Sequence, residues 1–245
     1  MKTRYVFLIG LLLITISINP IFLMLREMYI DNDINRTYVI KHADNVQGFP
    51  TIIQTNELII NNHHIKLIEE NTGRLAPLTP WDIDEHVEAG EIIKLQIELN
   101  GKLITDSSEI WLSNRNRGSR YFSWIDILTV KNLKSNEIKT AIVQRLTDNN
   151  EKMEDRQWRI IHVNEKGEWR EEVFGYQDRS EYKLGVKLVN FSNTALMSMG
   201  YYSDILKGWP TIFFPIIYPW ISSAVGILLI FMSMLMNISR KYLYK

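Results

Sequence analysis

The sequence predicts a membrane-anchored, mainly-β protein: two transmembrane helices flanking one extracytoplasmic, antiparallel β-sandwich-like domain with minor helices. Three observations predict it. Two long uncharged stretches lie near the ends, one from Tyr5 and one after Lys207. The polar middle carries period-two alternation, clearest where Ile93, Leu95, Ile97 and Leu99 interleave with Lys94, Gln96 and Glu98. Turn signals such as Asn100-Gly101 punctuate that middle at short intervals. Alternation with tight turns is the signature of half-buried antiparallel strands.

The domain plan follows from charge. Residues 1–25 read as an N-terminal transmembrane signal anchor, 26–208 as the β-rich domain, 209–238 as an aromatic, proline-containing lead-in with the second span, and 239–245 as a basic tail. A run of about 20 apolar residues crosses the roughly 30 Å hydrocarbon core as a helix. No charged residue lies between Lys207 and Arg240. Trp209, Phe213, Phe214, Tyr218 and Trp220 cluster at the front of that stretch, where amphipathic rings favour the headgroup level. Pro215 and Pro219 disfavour a regular helix there, so the span is expected from about Trp220 to Ile238. The lead-in reads equally as a device that sets span depth or as an interfacial, re-entrant contact.

Lys2 and Arg4 precede the first apolar run, as in signal peptides and signal anchors. Its length, the lack of a small-x-small site around Asn19-Pro20-Ile21, and apolar character up to Arg26 favour an uncleaved anchor. Lys2, Arg4, Arg240, Lys241 and Lys245 flank the outer ends of both stretches. By the positive-inside rule both termini are expected in the cytoplasm and the middle outside a cell membrane.

Composition narrows the function classes. The 245-residue chain has formal net charge zero, 46% hydrophobic residues and a mean hydropathy of −0.12. The average conceals two apolar ends. Setting aside the five basic residues outside it, the middle holds 23 Lys and Arg against 28 Asp and Glu, a net of −5. Nucleic-acid binding needs a concentrated basic face, so no nucleic-acid partner is expected. The chain has no cysteine, which excludes a disulfide scaffold, a thiolate metal site and a cysteine nucleophile. With its Ile-, Lys- and Asn-rich usage, that leans towards a bacterial envelope protein.

Along the middle, Met28 to Asn35 reads as a polar linker and Thr37 to Ile40 as a strand. Gly48-Phe49-Pro50 breaks the chain. Thr51 to Thr55, Leu58 to Ile60 and His63 to Ile68 follow as β-rich runs, with Asn61-Asn62 as a turn. Thr72 to Leu78 reads as a loop. Thr79, Pro80, Asp82 and Gly90 have the cap, first-turn and exit chemistry of a short helix. After the Asn100-Gly101 hairpin, Glu109 to Leu112 and Tyr121 to Val130 read as strands.

Ile138 to Leu146 has strand content, although Ile138, Ala141, Ile142 and Leu146 also fit one helical face. Asp148 to Asp155 is a polar loop. Trp158 to Val163 and Glu168 to Phe174 pair across Asn164-Glu165-Lys166-Gly167. Tyr182, Leu184, Val186 and Leu188 alternate like a further strand, and Asn193 to Leu206 reads as a short helix towards the second span.

No catalytic, cofactor-binding or metal-binding residue is assigned from the sequence. Ser180-Glu181-Tyr182-Lys183 matches S-x-x-K, but the partner motifs S-x-N and K-T-G are missing. His42, His63, His64, His86 and His162 lack metal-ligand spacing. Trp111, Tyr121, Phe122, Trp124, Trp158, Trp169 and Phe174 read as core aromatics, with a carbohydrate-stacking face as the alternative. The expected function is therefore non-enzymatic: an envelope accessory protein, without cofactor, whose outer domain binds a protein partner or ligand. The rivals are a membrane-bound envelope hydrolase and a subunit of an oligomeric channel or transporter complex. The uncharged spans disfavour an ion pathway.

Overall fold

The computed structural model describes residues 2–43, 45–46, 49–50, 56–78, 88–112, 121–147, 152–195 and 216–243. Two units divide the chain: Met1–Asp31 with Gly200–Lys245, and Asn32–Met199.

In the first unit, helix α1 (Lys2–Thr37) supplies the N-terminal apolar stretch. The described part of the C-terminal stretch opens with a π-helical segment, Ile216–Ile221, interrupted at Tyr218 (φ −121°, ψ 131°). A regular helix (Ser222–Leu243) follows it. Both helices are long and apolar enough to cross a membrane. They pack antiparallel, because Thr3 meets Ser233, Gly10 meets Gly226 and Ser17 meets Ser222. Small residues make the approach possible. The Ser17 and Ser222 hydroxyls lie 2.8 Å apart, Ser233 Oγ donates to the Thr3 carbonyl at 3.0 Å, and the Tyr218 hydroxyl donates to the Ile16 carbonyl at 2.8 Å. Away from this seam the large side chains, among them Leu12, Phe22, Leu228 and Phe231, are exposed.

α1 does not stop at the expected linker. It runs on to Thr37, because the segment after Arg26 holds neither proline nor glycine to end the hydrogen-bond ladder, and Ile34 is buried.

The second unit is mainly β. Its first sheet has the strand order β1 (Tyr38–His42), β9 (Ile125–Asn132), β10 (Ile138–Arg145), β11 (Gln157–Val163) and β12 (Trp169–Gly175), all antiparallel. Its second sheet joins β4 (Glu57–Ile60), β5 (His63–Leu75), β6 (Glu91–Leu99) and β7 (Lys102–Leu103), with β8 (Ser108–Trp111) also paired to β6. A short pair, β2 (Asn45–Val46) and β3 (Phe49–Pro50), stands apart, so Phe49-Pro50 pairs rather than merely breaking the chain.

The two faces of the first sheet explain its composition. One face contributes Ile125, Ile127, Ile142, Ile161 and Val163 to a buried cluster that also takes Ile65, Leu67, Leu95 and Ile97 from the second sheet. The other contributes Leu128, Val130, Val143 and Ile160 to a cluster shared with Leu188 and Val189. With both faces covered, β9 and β10 are buried almost continuously along their length rather than at every second residue, and that burial takes in polar residues such as Asp126, Thr140 and Gln144. β6, covered on one face, keeps the alternation. The strand reading of Ile138 to Leu146 holds.

Leu188 and Val189 belong to helix α2 (Lys183–Phe191), not to the strand expected over Tyr182 to Val189. Gly185, Leu188 and Val189, at i, i+3 and i+4, form its buried stripe. The Phe174 ring touches the bare Gly185 backbone and stacks on Tyr182, with centroids 5.0 Å apart. Tertiary packing against the sheet overrides the β-branched local preference.

β5 is also longer than expected. The loop read over Thr72 to Leu78 begins only after Leu75, because a bulge between Asn71 and Arg74 carries pairing past Gly73 (φ 71°). Asn71 Oδ1 accepts from the Gly73 amide at 2.7 Å, and Thr72 Oγ1 donates to the Ile92 carbonyl at 2.5 Å. These bonds stand in for the interrupted ladder.

Tyr121 to Trp124 form a turn ahead of β9, and Met153–Asp155 is a single 3₁₀ turn within the expected polar loop. Asn193 and Thr194 form a turn; 196–206 lie outside the described residues. So do the Thr51 to Thr55 run, the cap and first turns expected after Thr79, and most of the aromatic lead-in.

Candidate functional site

Three hairpin turns converge at one end of the β unit. Asn61 and Asn62 (φ 50° and 65°) join β4 to β5, Asn100 and Gly101 (φ 51° and 82°) join β6 to β7, and Asn164 to Gly167 join β11 to β12. Asparagine and glycine tolerate the left-handed conformations these turns need. Their side chains then tie the turns together. Asn61 Nδ2 donates to Thr140 Oγ1 at 2.9 Å, bridging the two sheets. His63, 5% exposed, donates from Nε2 to the Asn164 carbonyl at 2.9 Å while Nδ1 faces Asn100 Nδ2 at 3.5 Å. The Asn100 side-chain carbonyl accepts from the His64 amide at 2.8 Å. His63 is thus a core histidine latching two turns, and His64, on the opposite strand face, pairs with Glu57 at 2.5 Å.

Beside this turn cluster lies a groove of about 420 Å³, floored by β9 to β12 and walled by Tyr38 and Leu184. A ligand cleft of about 300–1,000 Å³ holds a small molecule or part of a chain. A second groove, about 430 Å³, runs between the β6–β7 hairpin and the β11–β12 turn. Glu168 and Trp169 line both.

Strand register assembles the charges of the first groove. His162 on β11 lies opposite Arg170 on β12, and Glu172 sits one residue pair along on the same face. His162 Nε2 is 3.3 Å from Glu172 Oε2, and Arg170 pairs with the other carboxylate oxygen. The His162 imidazole and the Arg170 guanidinium hold the Glu172 carboxyl at about 2, well below its ordinary range, against the opposing effect of burial. Lys139 Nζ is 3.4 Å from Glu137, and Asn164 Nδ2 donates to Glu168 at 2.7 Å.

The sequence-level candidates do not converge here. Ser180 lies on an exposed turn and Lys183 is the exposed first residue of α2, so S-x-x-K forms no sheltered nucleophile site. His42 Nδ1 is 3.1 Å from Asp126, and its ring stacks on Phe191 with centroids 4.9 Å apart. That pair resembles half of a catalytic triad. However, the Ser192 hydroxyl donates to the Val189 carbonyl at 2.8 Å and sits 2.7 Å from Thr194 Oγ1, while Asp126 Oδ2 accepts from the Asn193 amide at 2.9 Å. The cluster clasps the exit of α2. His86 lies outside the described residues, and among those described no three acidic or histidine groups gather as a metal site.

The aromatic residues divide. Tyr121, Trp124, Trp158 and Phe174 are core, with the Arg145 guanidinium 4.1 Å from the Trp124 ring centre. Trp169 is 38% exposed and is the aromatic shared by both grooves. Comparison with known protein families, curated proteins and solved structures finds no match.

Proposed function

We propose that the chain is a two-pass membrane protein of the cell envelope, with both termini in the cytoplasm and a β-sandwich-like domain outside, and that this domain is a non-enzymatic binding or assembly module. The observation that carries the reading is the antiparallel pair of apolar helices. Only 17% and 11% of their most apolar windows are buried in the protein, so their remaining surface calls for an apolar solvent. A helix buried in a soluble core would spend that surface on neighbouring protein. Antiparallel packing is consistent with both ends lying on one side, and the basic residues at those ends support the cytoplasm as that side. The shared cluster from two antiparallel sheets supports the sandwich-like reading.

The binding reading rests on the groove beside the turn cluster, whose polar groups are held by one another rather than aimed at a reacting centre. The hydrolase and channel readings gain no comparable support. The test is site-directed photocrosslinking in intact cells. A photoreactive residue at Trp169 or Glu137 is expected to give a discrete adduct, whereas one at Ile59, the 78%-exposed residue of β4, is not. Equal adduct patterns at all three positions would remove the groove from the account.

A further inference from the structure

We infer that β12 pairs antiparallel with β12 of a second copy of this chain, about a two-fold axis at Glu171. The pairing goes beyond the groove, since it uses the open edge of the first sheet. Backbone is the first argument. β12 is the longest of the described strands that lie at a sheet edge. It has neither proline nor lysine, and its register with β11 runs without a bulge, so several of the usual guards of an edge are missing. Residues of an antiparallel strand alternate between bonding a neighbour and turning away from it. The Asn164 amide donates to the Glu168 carbonyl at 3.0 Å and the Tyr176 amide to the Arg156 carbonyl at 3.3 Å, one at each end of the ladder. The even-numbered residues of β12 therefore bond β11. The N–H and C=O groups of Trp169, Glu171 and Val173 point outward, and no described residue bonds them. Those of Gly175, next in the series, are held by Asp178, which closes the open edge.

These open groups fix the register. Among two-fold alignments of β12 with itself, only one centred on Glu171 uses all three outward residues. Glu171 then faces its own copy, and Trp169 faces Val173 of the second copy in both directions. Side chains fit that same register, which is the second argument. Trp169 and Val173, 38% and 45% exposed, share the face of Ile161 and Val163. The register sets each aromatic ring against a β-branched side chain, a favourable cross-strand pair. Arg170 and Glu172 lie on the opposite face, and the register sets Arg170 against Glu172 of the second copy twice. Both are non-hydrogen-bonded pairs, where side chains come closest. The Arg170 side chain is 76% exposed, so it can span its own Glu172 and that of the other copy. At the axis two Glu171 carboxylates meet, but each is already paired with Arg159 at 2.6 Å. A second copy thus satisfies the open backbone, the exposed apolar pair and the charges in one alignment.

The test is disulfide crosslinking of the full chain in isolated membranes, where no native cysteine interferes. Facing Cα atoms in a hydrogen-bonded pair lie about 5.5 Å apart, within disulfide reach. After mild oxidation Glu171→Cys should run mainly as a disulfide-linked dimer. Trp169→Cys or Val173→Cys alone lies about 14 Å from its own copy along the strand and should give at least about tenfold less dimer. Differently tagged Trp169→Cys and Val173→Cys chains made together should crosslink to each other. Arg170→Glu should cut the Glu171→Cys dimer several-fold. Val173→Pro, which removes an outward N–H and spares the ladder with β11, should do the same. No dimer from Glu171→Cys, no crosslink in the mixed pair, equal yields at all three positions, or a Glu171→Cys dimer indifferent to either substitution would overturn the pairing. A photoadduct at Glu137 with a cellular protein, beside a Glu171→Cys chain that stays uncrosslinked, would sink the dimer while leaving the binding-module reading in place.

Discussion

Gly10 and Gly226 face each other across the seam of the two apolar helices, backbone against backbone. A Cβ on Gly10 would lie 2.7 Å from the Gly226 carbonyl oxygen, and a Cβ on Gly226 would lie 2.8 Å from that of Gly10. The obstruction in each direction is backbone, which cannot rotate away. Close backbone approach through small residues is how helices gain packing energy where solvent on both sides is apolar.

Ser17→Cys with Ser222→Cys should therefore form a disulfide, since the two hydroxyls are 2.8 Å apart and the native chain has no competing cysteine. Adding Gly226→Ile should cut the disulfide yield several-fold by forcing the helices apart. Non-reducing gels of membrane extracts read the outcome. An unchanged yield would contradict the packing seam.

The turn glycines separate two kinds of strain. Gly101 has φ +82° with open space around its missing Cβ, so Gly101→Val costs only the left-handed backbone, about 1–2 kcal/mol. Gly167 has φ +80° and its Cβ would also meet Asn100 Nδ2 at 3.3 Å and His63 at 3.5 Å. Gly167→Val should lower the thermal midpoint more than Gly101→Val, because it disturbs the His63 latch as well. Equal losses would mean that the latch contributes nothing.

The Asn100-Gly101 hairpin was legible because turn chemistry and alternation are local properties of the chain. The groove was not. His162, Arg170 and Glu172 meet through the register of β11 against β12, and Lys139 arrives from the next strand. Nothing in their spacing announces that. Trp169 had one local signal, its position just after the Asn164-to-Gly167 turn, where strand ends stand clear of the core. α2 reads as a strand in the sequence because Leu184, Val186 and Leu188 satisfy period two as well as part of a helical stripe. Only Gly185, whose missing side chain admits the Phe174 ring, marks it as a helix packed on a sheet.

That contact gives a further expectation. A Cβ on Gly185 would lie 2.8 Å from Phe174 Cε1, a buried and stacked ring. Gly185→Ala should destabilise the protein by about 1–3 kcal/mol through overpacking, despite its better helix propensity. If α2 were only loosely laid on the sheet, the same substitution would stabilise it. Chemical denaturation of the full chain in detergent distinguishes the two.

The Glu172 carboxyl carries a pH signature. Its folded value of about 2 lies below the ordinary unfolded value of about 4.3. A depressed carboxyl contributes stability that is fully present above the unfolded value and lost as pH falls through the folded one. Glu172→Gln should therefore lower the unfolding midpoint near neutral pH, and its deficit should shrink between about pH 4 and pH 2. A deficit independent of pH would assign the loss to packing rather than to the His162 and Arg170 pairs.

Topology is the claim on which the functional reading depends, and substituted-cysteine labelling tests it most directly. Lys134 is exposed on the turn between β9 and β10, and Lys245 ends the basic tail. On intact cells an impermeant maleimide should modify Lys134→Cys, and should modify Lys245→Cys only after the membrane is opened. The reverse pattern would put the β unit in the cytoplasm and contradict the envelope-facing function.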